Sequence, residues 1–243
     1  MCEVNQPSSP SNHNTIIICN PVSSHRFTNP ALTGLVAVTR SSDAGINPGQ
    51  ASDLVGRVNV KSGTHAGQGL SWWQVDLGPT RRVAPTKYTL KHGHSIGSSR
   101  LRDWVLEGSL DGQAPWTRLR THDSDQSLPT SCSYCTASWD MDADYAGGPT
   151  PARFLKVRMT GQNSDGSNAL YLCGLEVYGA LQIVGSAAQL RAEGKTAAEV
   201  KALGGYLPGE LKAAGFTAAG MCAAEFTRSD LSWSRSIYEQ TCC

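Results

Sequence analysis

The chain has 243 residues, and its 21 basic and 20 acidic side chains leave a formal charge of +1, so no global field gathers nucleic acid or an anionic membrane. Hydrophobic residues make up 40% and charged residues 17%, a balance that supports a buried core and excludes wholesale disorder. No run approaches the roughly 18 to 20 apolar residues that a membrane span needs, and the polar stretch Met1 to Ser11 lacks the layout of an export signal. An intracellular, cytoplasmic chain that inserts into no membrane is the expectation.

In chain order, residues 1–14 are rich in Ser, Pro and Asn and read as a flexible lead-in. Strand character then recurs at Thr15 to Cys19, Leu35 to Thr39, Trp72 to Leu77, Arg82 to Leu90, Trp104 to Ser109, Trp116 to Thr121, Phe154 to Met159 and Leu170 to Tyr178. Eight short strands separated by turns predict a mainly β sandwich or jelly roll over residues 15–181. In Phe154 to Met159, Leu155, Val157 and Met159 share one face and Lys156 and Arg158 the other. Asp111-Gly112 tolerates the positive φ of a tight hairpin. Trp72 and Trp73 must point to opposite faces of their strand. One of them therefore joins Leu77, Trp104, Leu106 and Val177 in the core, and the other is a contact residue or lies under a loop or the tail.

After Gly179 the composition turns to Ala, Leu, Lys and Glu, and residues 182–243 read as a small helical repeat tail. Leu190, Val200, Leu211, Met221 and Leu231 recur every ten or eleven residues, with Gly194, Gly204, Gly215 and Glu225 four places later. Ser186-x-x-Gln189 and Thr196-x-x-Glu199 are capping boxes, and the glycines supply the left-handed residue that ends each helix. Such two-turn helices are unstable alone. They must stack on one another or on the sandwich, through the register residues together with Tyr206, Phe216 and Phe226.

The eight cysteines are irregularly spaced and read as reduced thiols, with an opportunistic disulfide as the other state open to Cys132-x-x-Cys135. His122 upstream invites a zinc reading, but no second ligand pair completes four donors. Asp140, Asp142 and Asp144 alternate without the glycine and distal glutamate of an EF-hand, so a solvated acidic loop is expected. Cys242-Cys243 looks like a doubly prenylated ending, which requires a GTPase that this sequence does not encode. No nucleophile elbow, phosphate loop, dinucleotide fingerprint or zincin motif is present. The reading is a non-enzyme without cofactor or metal.

Trp72-Trp73-Gln74-Val75-Asp76-Leu77-Gly78 resembles a signature strand of the discoidin, or coagulation factor 5/8 type C, family of galactose-binding-like domains. Trp104 to Gly112 is similar to that family's hairpin, Phe154 to Arg158 to its late strand, and Gly174 to Gly179 to its closing strand. Asn29-Pro30-Ala31 and Pro85 to Gly93 resemble the intracellular branch found in HECT-type ubiquitin ligases and BTB-domain proteins. Ala180 stands where secreted members usually carry a cysteine. The tail resembles "L-K-x-A-G-F-[ST]-x-x-E" short repeats.

The resemblance implies a galactose-binding-like jelly roll that binds through loops at one end, here Arg40 to Gly49, His92 to Arg100 and Gly161 to Asn168. Ser41, Asn47, Asn163 and Asp165 are candidate binding residues on them. His92, His94, Arg100 and Arg102 would hold an acidic peptide or sugar hydroxyls, arginine being suited to bidentate carboxylate recognition; otherwise they are solvated surface residues. Residues 81–120 carry eight basic and three acidic side chains, whereas residues 121–150 are charged only by five aspartates. The expected function is a non-catalytic adaptor that contacts a protein partner through the end loops and docks in a larger assembly through the tail. Alternatives are a carbohydrate-binding module and a substrate-recognition component linked to ubiquitin ligation.

Overall fold

A computed structural model describes residues 27–43, 49–65, 69–95, 98–141 and 150–226. Among these residues eight strands are formed: β1 Ala37–Arg40, β2 Trp72–Asp76, β3 Arg81–His92, β4 Trp104–Ser109, β5 Thr117–His122, β6 Thr136–Asp140, β7 Phe154–Met159 and β8 Leu172–Ile183. They make a five-stranded sheet in the order β1-β2-β7-β4-β5 and a three-stranded sheet in the order β6-β3-β8. Every ladder is antiparallel, and the crossovers between sheets give a mainly β sandwich. The expected strand Thr15 to Cys19 lies outside the described residues. Strand β6 is an addition to the expected strands, and it takes in Asp140, for which a solvated acidic loop is expected.

Apolar alternation drives the two sheets together. Trp73, Val75, Leu77, Trp104, Leu106, Leu155, Val157, Met159, Leu175 and Val177 are buried in one core. Trp73 takes the inward place and donates its Nε1–H to the Leu170 carbonyl at 3.2 Å; Trp72 is half-buried on the opposite face. The Asp111-Gly112 corner joins β4 to β5, with Gly112 at φ +77°.

Polar side chains in this core are satisfied as a chain. Trp104 Nε1–H donates to the Tyr88 hydroxyl at 2.9 Å, and Tyr88 lies 2.6 Å from His122 Nε2. Asp125 Oδ2 receives His122 Nδ1 at 2.7 Å and Trp139 Nε1–H at 3.0 Å. The carboxylate fixes the proton on Nδ1, which leaves Nε2 to accept from Tyr88. His122 also stacks on Trp104 at 3.8 Å between ring centroids. Burial pushes the Asp125 carboxyl up, but the Ser127 amide and hydroxyl and His122 together hold it below the usual carboxylate range.

Beyond β8 come α1 Ala187–Ala192, α2 Ala197–Leu203, α3 Pro208–Ala213 and α4 Ala218–Ala223. Ser186 and Thr196 cap α1 and α2 as capping boxes, and Thr217 accepts from the Gly220 amide. Positive φ angles at Gly194, Gly204, Gly215 and Glu225 end the four units. Leu190, Val200, Leu211 and Met221 are buried in a second core with Tyr206 and Phe226. Basic side chains then reach two units forward. Arg191 donates to the Ala214 carbonyl at 2.9 Å, and Lys201 donates to the Ala224 and Glu225 carbonyls at 2.8 Å, where the helix dipoles favour positive charge.

The tail packs against one end of the sandwich. Buried Arg153, just before β7, holds Asp76 through Nε and NH2 at 2.6 and 2.8 Å, Glu210 at 2.8 Å and the Gly205 carbonyl at 3.0 Å. Arg82 donates to the Gly204 carbonyl and lies over the Tyr206 ring. The loops after β1, β3, β5 and β7 gather at the opposite end.

Candidate functional site

At that opposite end, the chain after β3 turns at Gly93, where a Cβ would meet the Ser62 carbonyl and the Leu172 backbone. The approach lets Ser62 donate to Gly93 at 2.9 Å and Gly93 donate to Tyr171 at 3.0 Å. Arg40 ties the first loop in by donating to the Gly49 carbonyl and the Ser62 hydroxyl. The loop after β7 is organised by Asn163, whose amide oxygen accepts from Asp165 and Ser167 while its nitrogen donates to Ala169. Asp165 Oδ2 accepts from the Ser99 amide at 2.8 Å and its hydroxyl at 2.9 Å. Three loops are thus fastened into one surface, and the Tyr134 amide, donating to the His94 carbonyl at 3.2 Å, adds the loop after β5.

His92, His94, Arg100, Asn163 and Asp165 converge there, and their exposures differ. His92 and Arg100 are fully buried, His94 and Asn163 nearly so, and Asp165 is exposed. Arg102 is also buried, with its NH1 donating to the Asp125 and Leu128 carbonyls at 2.9 and 3.0 Å. Ser41 is exposed and accepts from the Trp72 amide at 3.2 Å; Asn47 lies outside the described residues.

The Arg100 guanidinium donates through NH2 to the Cys132 carbonyl, and its Nε and NH1 meet no acceptor. The Ser98 and Tyr171 backbone approaches the His92 ring, but neither ring nitrogen completes a hydrogen bond of normal geometry. Four of the six buried, unpartnered side-chain polar atoms among the described residues therefore belong to these two side chains. Burial, then the charges of Arg100 and His94, pull the His92 pKa down to about 3, against a smaller opposing influence of the Ser98 and Tyr171 backbone. His92 is a neutral imidazole at physiological pH. Burial, Lys61 and Arg100 lower His94 as well, and burial followed by Arg102 lowers Arg100. The cluster is a desolvated positive centre, with a carboxylate supplied at its rim by Asp165.

The cysteine expectation needs correction. Cys132 and Cys135 are joined, with their Cα atoms 5.7 Å apart, because a one-turn spacing brings them within disulfide reach. The Cys132 carbonyl receives Arg100 and the Cys135 carbonyl receives the His92 amide, so this corner braces the cluster. Cys173 is a buried free thiol, and burial raises its pKa. The zinc reading has no site here, since His122 is committed to the core network. Among the described residues no group of three His, Cys, Asp or Glu side chains is placed to hold a metal ion. Asp142 and Asp144 lie outside those residues.

The sequence pattern did not disclose Arg153. Its partners Asp76 and Glu210 lie 77 and 57 residues away, and no local signal connects them.

No family model matches the chain. It is 35% identical over 178 residues to the E3 ubiquitin-protein ligase Ufd4 of Drosophila melanogaster and 34% over 155 residues to the E3 ubiquitin-protein ligase hecd-1 of Caenorhabditis elegans. It is 32% identical over 169 residues to a BTB/POZ domain-containing protein of Arabidopsis thaliana. These matches take in 72%, 63% and 64% of this chain but only 6%, 6% and 19% of the relatives. Among solved structures, the family 32 CBM from Clostridium perfringens NanJ in complex with galactose is 15% identical, with a TM-score of 0.44 over 67% of this chain and 99% of that one. No helix among the described residues is long and apolar enough to cross a membrane. The ordered strands and the two antiparallel sheets make a mainly β sandwich, and the chain is similar in sequence to a segment of E3 ubiquitin ligases and of a BTB/POZ protein.

Proposed function

We propose that the chain is a non-catalytic recognition module of an intracellular, cytoplasmic assembly. The fastened loops at the free end of the sandwich contact a protein partner, and the helical tail, seated on the other end, fixes the module in a larger complex. The observation that carries the reading is the concentration of unpartnered buried polar atoms on His92 and Arg100, beneath loops at the end of the sandwich opposite helices α1 to α4. A partner group that reaches them supplies the acceptor that Arg100 lacks, and Asp165 and His94 frame its approach. Loops held on a rigid sandwich can vary in sequence without cost to the fold, which suits them to recognition.

Native co-purification with mass spectrometry tests this. A stoichiometric protein retained by the wild type and by the tail variant Glu193→Lys, but lost from Ser95→Arg and Gln126→Arg, is the expected result. An unchanged partner set in the loop variants overturns the proposal, and a glycan-array signal abolished by the same variants replaces it with carbohydrate binding. Substrate recognition linked to ubiquitin ligation is a second reading, supported by the two ligase relatives. A ubiquitin-ligase subunit among the retained proteins is its test, and the lack of one removes it.

A further inference from the structure

The outer face of the five-stranded sheet carries an arrangement that the loop end does not use. Trp72, Gln74, Lys156, Arg158 and Glu107 share that face, with register pairs Trp72↔Arg158, Gln74↔Lys156 and Glu107↔Lys156. Trp116 reaches over from the start of β5. The Lys156 ammonium lies 3.6 Å from the Trp116 ring centroid and 5.3 Å from that of Trp72, so two half-buried indoles hold one cation. Burial lowers the Lys156 pKa, with Glu107 opposing. Glu107 is already paired with Arg158 at 2.5 Å, and exposed Arg118 stands opposite it on β5.

Three cations and one carboxylate thus occupy neighbouring strands around two tryptophans. Tryptophan and arginine are the residue types enriched where protein interfaces bury their centres, whereas an ordinary solvated sheet face carries interspersed charge of both signs. The surplus positive charge selects the partner. We propose that this face is a second docking surface, centred on Trp72, Lys156 and Trp116, for an acidic peptide segment of a partner protein. Its carboxylates meet Lys156 and Arg118, while its chain packs on the exposed edges of the indoles. A neutral saccharide would stack on the rings but leave the positive charge uncompensated. The proposal does not depend on the function assigned to the loop end.

The test uses a fluorescent oligoglutamate peptide of about ten residues, long enough to span the three strands, titrated into the full chain while tryptophan emission and anisotropy are recorded. Binding at low salt that weakens about tenfold or more at high ionic strength, as screening of exposed charges requires, and that is lost in Lys156→Glu and in Arg118→Glu but kept in Ser95→Arg, is the expected result. Arg118 is exposed, so its variant keeps the test valid if Lys156→Glu misfolds; circular dichroism reports which variants fold. No binding by the folded wild type, or equal binding by folded Arg118→Glu, overturns the proposal. So does an emission change with neutral chito-oligosaccharide but not with the peptide. Concentration-dependent self-association abolished by Arg118→Glu would instead make a second copy the occupant, and would also overturn it.

Discussion

At the scale of single residues, the unusual one is His92. It was legible as a site candidate because it stands in a histidine- and arginine-containing loop, but its burial was not, since depth is set by the Gly93 turn and by strand β8 packed against it. With a folded pKa of about 3 against an ordinary value of 6.5, the unfolded chain binds a proton that the folded chain refuses. The stabilisation is complete above pH 6.5 and is lost as the pH falls from 6.5 towards 3, by at most about 1.4 kcal/mol per pH unit. Neither ring nitrogen completes a hydrogen bond of normal geometry, so a leucine of similar size forfeits little. His92→Leu is expected to unfold in urea within about 1 kcal/mol of the wild type at pH 7, and to show a shallower decline between pH 6 and about 4. A parallel decline in the two proteins would show that His92 is not the responsible proton acceptor.

Elements divide by how local their causes are. The expected strands Trp104 to Ser109 and Phe154 to Met159 lie where the sequence predicts, the second of them marked by its alternation. Strand β6 was missed because Thr136–Asp140 is polar, with Trp139 as its one buried side chain, so its pairing with β3 is dictated by tertiary contacts rather than by pattern. Strand β8 extends to Ile183, past the glycine that reads as its stop, because Arg81, Arg82 and Val83 of β3 continue the ladder. The tail helices are the opposite case, since caps, spacing and glycine stops were all local. Glu199 accepts from the Thr196 amide and hydroxyl at 2.7 and 2.9 Å, and the Thr196 hydroxyl accepts from the Glu199 amide at 3.2 Å. Thr196→Ala removes that cap and should destabilise the chain by about 1 kcal/mol in chemical denaturation. Gly215→Ala should cost more. Position 215 has φ +84° and lies against the Arg191 guanidinium, so an alanine there is strained and displaces the cation as well.

At the scale of the whole molecule, two hydrophobic cores are joined by charge rather than by a shared apolar seam. Arg153 is almost fully buried and answers two carboxylates, one from a strand end and one from helix α3. Burial lowers the pKa of its guanidinium, and Asp76 and Glu210 more than restore it. Arg153→Met leaves both carboxylates without their cation and should destabilise the protein by about 3 to 5 kcal/mol. Calorimetry of the wild type should show one transition, whereas the variant should melt its helices before its sandwich. Equal cooperativity in both would show that the Arg82 contacts with the Gly204 carbonyl and the Tyr206 ring suffice to couple the cores.

The carbonyls that end helix α2 accept from Arg82 and Arg153, just as those ending α3 and α4 accept from Arg191 and Lys201. The sandwich therefore stands where one earlier repeat would, in the position of the terminal cap that a stacked array requires at one end. The array has a direction: its first units are anchored to a rigid β scaffold through Arg82 and Arg153, and the far end is the place to test a change in unit number. Inserting or deleting a ten-residue unit there would alter how far the chain reaches while leaving its seat on the sandwich unchanged.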